Sequence, residues 1–161
     1  MPQLLLLYDT QTGGTEALAH AAADGARGEA DVRLIQASDA TPDDLLVDDG
    51  AIFACPENLA ALSGVMKAFF DRAYYQLLGQ IEGRPYAMMI CAGSDGENAA
   101  RQMARILTGW RMKPIAEPLI ICTHAQTPEA ILAPKQIGAA DLARARDLGA
   151  AFAAGLSLGV Y

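Results

Sequence analysis

No stretch of this 161-residue chain approaches the ~20 consecutive apolar residues that a membrane-spanning helix requires. The apolar run near its start, Leu4–Leu7 followed by Tyr8, is shorter than the apolar region of a secretion signal, and no basic residue precedes it. Cysteine is scarce. Cys55, Cys91 and Cys122 are widely spaced and odd in number, which excludes a disulfide framework and suits a reducing compartment, so the expected location is the cytoplasm. Charge is thin as well, at 19% of residues against an average of about 25%, so much of the chain must lie inside the fold or at an interface. Positive charge is the scarcer sign: 12 Lys and Arg against 19 Asp and Glu leave a net charge of −7. Such a field repels phosphate backbones and anionic lipid, which argues against nucleic acid and membrane surfaces as partners. An anionic ligand would have to be held by local backbone donors.

What the chain does have is apolar sequence in a particular rhythm. Hydrophobic residues make up 52% of it, and a domain of this length buries ~70% of its unfolded surface, so residues 1–161 can form one domain without a staple. Short apolar runs alternate with longer helical patterns, the signature of a parallel sheet with crossover helices. Gln3–Tyr8 is the first strand, continuously apolar and suited to burial on both faces. Thr15 is expected to cap a helix over Glu16–Arg27 that stops near Gly28, and Asp31–Gln36 is the second strand. Thr41-Pro42-Asp43-Asp44 is a helix start, with a capping Thr, Pro at the first position and acids in the first turn. That helix is short, because Gly50–Ala54 is the third strand. Ser63 opens a helix to about Leu78, with Val65, Met66, Phe69, Phe70 and Ala73 at three-to-four spacing. Tyr86–Cys91 is the fourth strand, Glu97–Trp110 a helix, Ile115–Ile121 the fifth strand, Thr123–Gly138 a loop, and Asp141–Leu156 the last helix. This order predicts an α/β fold, a doubly wound five-stranded parallel sheet of order 2-1-3-4-5.

In such a sheet ligands bind outside the carboxyl ends of the strands, where strand order reverses, here between the first and third strands. The loops that matter are Asp9–Gly14, Cys55–Leu62 and Ala92–Gly96. The first continues into Thr15 and reads Thr10-Gln11-Thr12-Gly13-Gly14-Thr15, with three hydroxyls, two glycines and no cation. Glycines let successive N–H groups converge, the helix N-terminus adds partial positive charge, and hydroxyls add directional donors to an anion. Thr and Gly are also ordinary turn and cap residues; their place directly after the first strand favours an anion site. No Lys-Ser/Thr follows, so this is not a P-loop. Thr12 and Gly13 break the dinucleotide glycine pattern, and the second strand runs into Gln36 instead of an acid.

Thr10–Thr15 resembles the phosphate loop of flavodoxins and flavodoxin-like FMN reductases, Thr/Ser-x-Thr-Gly-x-Thr. Cys55–Arg72 resembles the Pro-containing flavin loop and the Ser-Gly-x-Met-Lys-x-Phe-x-Asp-Arg helix of the quinone-reductase branch, the tryptophan-repressor-binding-protein-like flavoproteins. Ala92-Gly93-Ser94-Asp95-Gly96 falls where the family has its third flavin loop. The resemblance implies FMN as cofactor, with Thr10, Gln11, Thr12, Gly13, Gly14 and Thr15 on the phosphate. Pro56, Glu57, Asn58, Leu59 and Ala60, and Gly93, Ser94, Asp95 and Gly96, would follow the rest of the flavin. It further implies NAD(P)H as co-substrate and a quinone or similar small-molecule electron acceptor. Where those reductases carry Thr after the loop proline, and an aromatic and a glycine further on, this chain has Glu57, Leu59 and Ala60. It also lacks their longer segment after the fourth strand, which helps build a tetramer. Electron-transfer flavodoxins stack aromatics on the flavin from the second and third loops, and neither loop here contains one, which favours a reductase. A flavodoxin-type electron carrier, or a flavodoxin-like binding module without redox activity, are the alternatives.

No proton relay emerges, and no catalytic residue is assigned. His20 is expected on a helix surface and His124 in a loop. Glu57 either faces the ring or belongs to a solvated loop. Cys55, Cys91 and Cys122 fall at the carboxyl ends of three neighbouring strands; a metal or redox cluster is conceivable, but the spacing is not metal-like and core filling is preferred, so no metal is expected. Tyr75 and Leu78 lie off the apolar stripe of the Ser63 helix and point to a homodimer contact, while Tyr74 fits either the core or that contact. Arg101 and Arg105 are candidate local cations for NAD(P)H.

Overall fold

Four consecutive branched apolar residues can all be buried in a strand only if both of its faces are covered, because successive side chains point to opposite sides. In the computed structural model, which describes residues 1–161, Leu5 and Leu7 enter one core and Leu4 and Leu6 the other, all fully buried. They form β1 (Gln3–Tyr8), followed by α1 (Gly14–Ala26), β2 (Asp31–Gln36), α2 (Pro42–Val47) and β3 (Gly50–Asn58). Then come β4 (Ala61–Leu62), α3 (Gly64–Leu77), β5 (Pro85–Ala92), α4 (Glu97–Gly109), β6 (Lys113–Pro114), β7 (Leu119–Cys122), α5 (Pro128–Leu132) and α6 (Ala139–Ser157).

The parallel strands lie in the order β2-β1-β3-β5, with β6 and β7 both on the far side of β5. This is the expected flavodoxin-like order, its fifth position filled by two short pieces. Helices α2, α3 and α4 cover one face through Leu45, Met66, Phe69, Phe70, Met103 and Leu107. Helices α1 and α6 cover the other through alanines and Phe152. These two helices meet closely: a Cβ at Gly149 would stand 1.9 Å from the Ala22 carbonyl oxygen and one at Gly25 2.0 Å from that of Arg146, so only glycine fits either crossing point. None of the helices is long and apolar enough to cross a membrane.

Several boundaries differ from expectation for identifiable reasons. The helix cap is Gly13, at φ +93°, and Thr15 lies within the first turn of α1. Of the expected fifth strand Ile115–Ile121 only the part from Leu119 onward is strand, as β7, while a second short piece, β6, lies just before the expected start; Pro118 has no N–H to give to a ladder. The third strand continues past Ala54 to Asn58, since Cys55 and Pro56 stay in register with Ile90 and Cys91, and Glu57 and Asn58 pair antiparallel with Leu62 and Ala61. Much of the expected second loop is therefore a β-hairpin. The segment Thr123–Gly138 contains α5, started by Thr127, whose hydroxyl accepts from the Ala130 N–H at 3.2 Å, and by Pro128.

Candidate functional site

At the carboxyl end of β1 the chain turns sharply into α1. Gly13 N–H donates to the Thr10 hydroxyl at 3.0 Å, closing the turn, and Gly13 takes the left-handed conformation that glycine tolerates best. Gly14 then packs onto the floor of the cleft, where a Cβ would lie 2.8 Å from Cys91 Sγ. The Thr15 hydroxyl is buried and has no hydrogen-bond partner within the protein. Buried hydroxyls are nearly always paired, so an orphan one at the N-terminus of a 13-residue helix marks where an anionic ligand would complete the set.

Lys135 is the cation that the Thr10–Thr15 turn lacks in sequence. Its N–H donates to the Thr12 carbonyl at 2.8 Å. Its ammonium donates to the Ile131 and Ala133 carbonyls, both at 2.7 Å, and stands 3.4 Å from Thr12 Oγ1. The segment after β7 thus folds back over the turn and delivers one positive charge to it.

Nine of the residues named from sequence line one cleft: Thr10, Gln11, Thr12, Gly14, Thr15, Pro56, Glu57, Asn58 and Gly93. Cys91, Ala92, Thr123, Ala125, Ile131 and Lys135 complete its walls, and it holds about 470 Å³ of open space. No aromatic side chain lines it. It lies at the carboxyl ends of β1, β3 and β5, across the point where strand order reverses. Gly13 caps α1 at the margin. Ser94 and Asp95 are exposed and line no part of the cleft. Gly96 is buried at the cap of α4, at φ +88°, where a Cβ would lie 2.6 Å from Ile120 Cγ2.

Leu59 and Ala60 form the tip of the β3–β4 hairpin, at φ +51° and +62°. Two left-handed residues define the tight hairpin turn that normally selects Asn-Gly, and non-glycine residues there cost roughly 1–2 kcal/mol each. Helix α4 holds this turn in place. Asn98 Nδ2 donates to the Ala60 carbonyl at 2.5 Å, and Leu62 N–H donates to Gln102 Oε1 at 3.0 Å. The Glu57 carboxylate accepts from the N–H groups of Gly96 and Ala99, at 2.9 and 3.3 Å. Glu57 therefore caps α4, a role that neither sequence alternative included, and a carboxylate there also complements the helix dipole.

The thiols do not cluster. Cys55 faces the core under α3 and Cys91 the opposite core, and no group of His, Cys, Asp and Glu could hold a metal. Burial pushes the Cys55 thiol up to about 12 and the Cys91 thiol up to about 11, the latter against the pull of Lys135, so both stay protonated and inert near neutrality. His20 and His124 are exposed, as expected. Tyr74 stacks on Trp110, with centroids 5.6 Å apart, and belongs to the core side of α3; Tyr75 is exposed.

The model of the family described as NADPH-dependent FMN reductase matches residues 4–127. A flavodoxin of Aquifex aeolicus is 36% identical over 110 residues, which are 67% of this chain and 60% of that protein's length. Among solved structures, a flavodoxin from the domain Archaea superposes with a TM-score of 0.77 at 18% identity, covering 96% of this chain and 98% of that one. A WrbA-like flavodoxin from Agrobacterium tumefaciens superposes with a TM-score of 0.69 at 18% identity, covering 96% of each chain. At such identities the two structures establish the fold alone.

Proposed function

Since this chain belongs to the NADPH-dependent FMN reductase family, we propose that it is an oxidoreductase that works on NADH or NADPH and a quinone or similar small acceptor. The observation that carries this reading is the cleft itself: an orphan Thr15 hydroxyl, the α1 N-terminus and the Lys135 ammonium converge on one end of it, while its other end has no aromatic lid. That donor set suits the terminal phosphate of FMN. Thr10, Thr12 and Thr15 would give hydroxyl donors, the α1 N-terminus its free N–H groups, and Lys135 its charge. Pro56, Asn58 and the hairpin tip would border the isoalloxazine ring. FMN held there would supply hydride and electron transfer between NAD(P)H and a quinone-type acceptor. The protein's part is to hold the phosphate, fix the ring edge through the α4-clamped hairpin and leave one ring face accessible to each substrate in turn.

The test is to load the protein with FMN, mix it anaerobically with NADH or NADPH, and follow flavin absorbance. Bleaching within seconds and reoxidation by a simple quinone is the expected result. A second reading, a flavodoxin-type electron carrier, draws support from the Aquifex aeolicus relative. It takes over if neither nucleotide bleaches the flavin while a reductase protein does.

A further inference from the structure

After β7 the chain leaves the cleft and then returns to it. His124 N–H donates to the Gly93 carbonyl and Lys135 N–H to that of Thr12, both at 2.8 Å, and both acceptors belong to residues of the cleft wall. Between these two ties, residues 125–134 form a strap that hydrogen-bonds only to itself and to Lys135. Ile131 and Ala133 N–H groups donate to the Thr127 and Glu129 carbonyls, at 2.8 and 3.0 Å, and Ala130 N–H donates to the Thr127 hydroxyl. No ion pair holds the strap, and neither hydrophobic core includes any of its residues. Every residue from Gln126 to Pro134 is exposed. Its helix, α5, has five residues, well under the ~12–15 that a helix needs to hold in water without tertiary packing. Yet Ala125 and Ile131 line the cleft, Ile131 while 52% exposed. An apolar side chain on a cleft wall, half open to water, has burial still to gain when the cleft is filled. The β3–β4 hairpin is clamped to α4, so among the cleft's loops the strap is the one free to move.

Lys135 connects this strap to the anion end of the cleft. An ammonium has three N–H donors. Two go to the Ile131 and Ala133 carbonyls, within α5 and just past its end, and Thr12 Oγ1 stands 3.4 Å away for the third. The group that steadies α5 is therefore the group that a phosphate on the Thr10–Thr15 turn attracts. We propose that the strap is a lid that closes on FMN held in the cleft, is locked by the phosphate through Lys135, and sets how slowly the flavin leaves. The proposal rests on the reading of the cleft as the flavin site. A phosphate fixes the ammonium, the ammonium fixes the α5 carbonyls, and Ile131 is held over the filled cleft. Riboflavin, which lacks the phosphate, leaves the lid unlocked.

Amide hydrogen exchange reads the lid without any turnover. In the apoprotein the Ile131 and Ala133 amides should exchange close to the rate of an unstructured chain. Saturating FMN should slow both at least tenfold, and saturating riboflavin should leave them fast. Thr127→Ala removes the α5 cap at an exposed position that does not line the cleft. It should raise the FMN dissociation rate about fivefold, the usual contribution of such a cap, with the association rate and the thermal midpoint of the apoprotein unchanged. The lid is overturned if FMN binds and both amides stay fast, if riboflavin slows them as much, or if the variant releases FMN at the parental rate. A slowed strap in a protein whose flavin neither nucleotide bleaches keeps the lid and sinks the reductase. Bleaching beside a strap that FMN leaves fast keeps the reductase and sinks the lid. A protein that takes up no FMN loses both.

Discussion

Lys135 adds one positive charge to a turn otherwise built from neutral donors. The Thr10–Thr15 turn offers hydroxyls and N–H groups, and a cation 3.4 Å from Thr12 Oγ1 adds an attraction that grows with the charge of the ligand, so a phosphorylated flavin gains from it and an uncharged one does not. Its ammonium is steadied by two carbonyl oxygens, so it is held at the turn and not free to swing into solvent. Lys135→Gln should therefore lower FMN affinity at least about tenfold, or about 1.4 kcal/mol, and leave riboflavin affinity unchanged, as read by fluorescence titration of the apoprotein with each flavin. Equal losses for both flavins would mean that Lys135 only props the loop. Lys135 lies beyond residues 4–127, the part that matches the family model.

Among the elements, the short helix α2 is built most visibly by its first turn. Thr41 N–H donates to the Asp44 carboxylate at 2.8 Å, and Arg33 of β2 reaches the same carboxylate at 3.0 Å. Burial draws the Asp44 carboxyl upward, but the Thr41 N–H, the Arg33 guanidinium and the Thr41 hydroxyl together bring it below its ordinary 3.8. A carboxyl whose pKa is depressed in the fold contributes stability that is complete above its unfolded value and is lost as pH falls through the folded one. The α2 region should accordingly loosen on acidification below about 3.8. Asp44→Asn should flatten the acid limb of a plot of urea midpoint against pH and leave the slope above it unaltered. An unchanged acid limb would show that other carboxylates govern acid unfolding.

For the whole molecule, the surface of α3 raises the question of assembly. Phe69, Phe70 and Leu77 are inside, while Tyr75 is 83% exposed and Leu78 46%. We propose that this end of α3 makes a homodimer contact. Light scattering at micromolar concentration should give twice the chain mass, and Tyr75→Ser should return it to the monomer without altering the thermal midpoint. A monomer mass for the parent protein would end the proposal.

The sequence by itself determined the sheet and its order, because burial on both faces demands continuous apolar runs such as Leu4–Leu7 and crossover helices between them. It also located the mouth of the cleft, since Thr10–Thr15 follows directly on a strand whose carboxyl end lies where strand order reverses. What it could not reach were contacts between distant segments. Glu57 looked like a ring-facing or solvated acid until α4 brought Gly96 and Ala99 N–H groups to it, 39 and 42 residues away. Lys135 carried no local signal, lying 123 residues from Thr12 in a segment that reads as a loop. Local propensity and hydrophobic period depend on near neighbours, whereas a cap or a counter-charge supplied across a sheet depends on where the chain returns, and only the packed structure decides that.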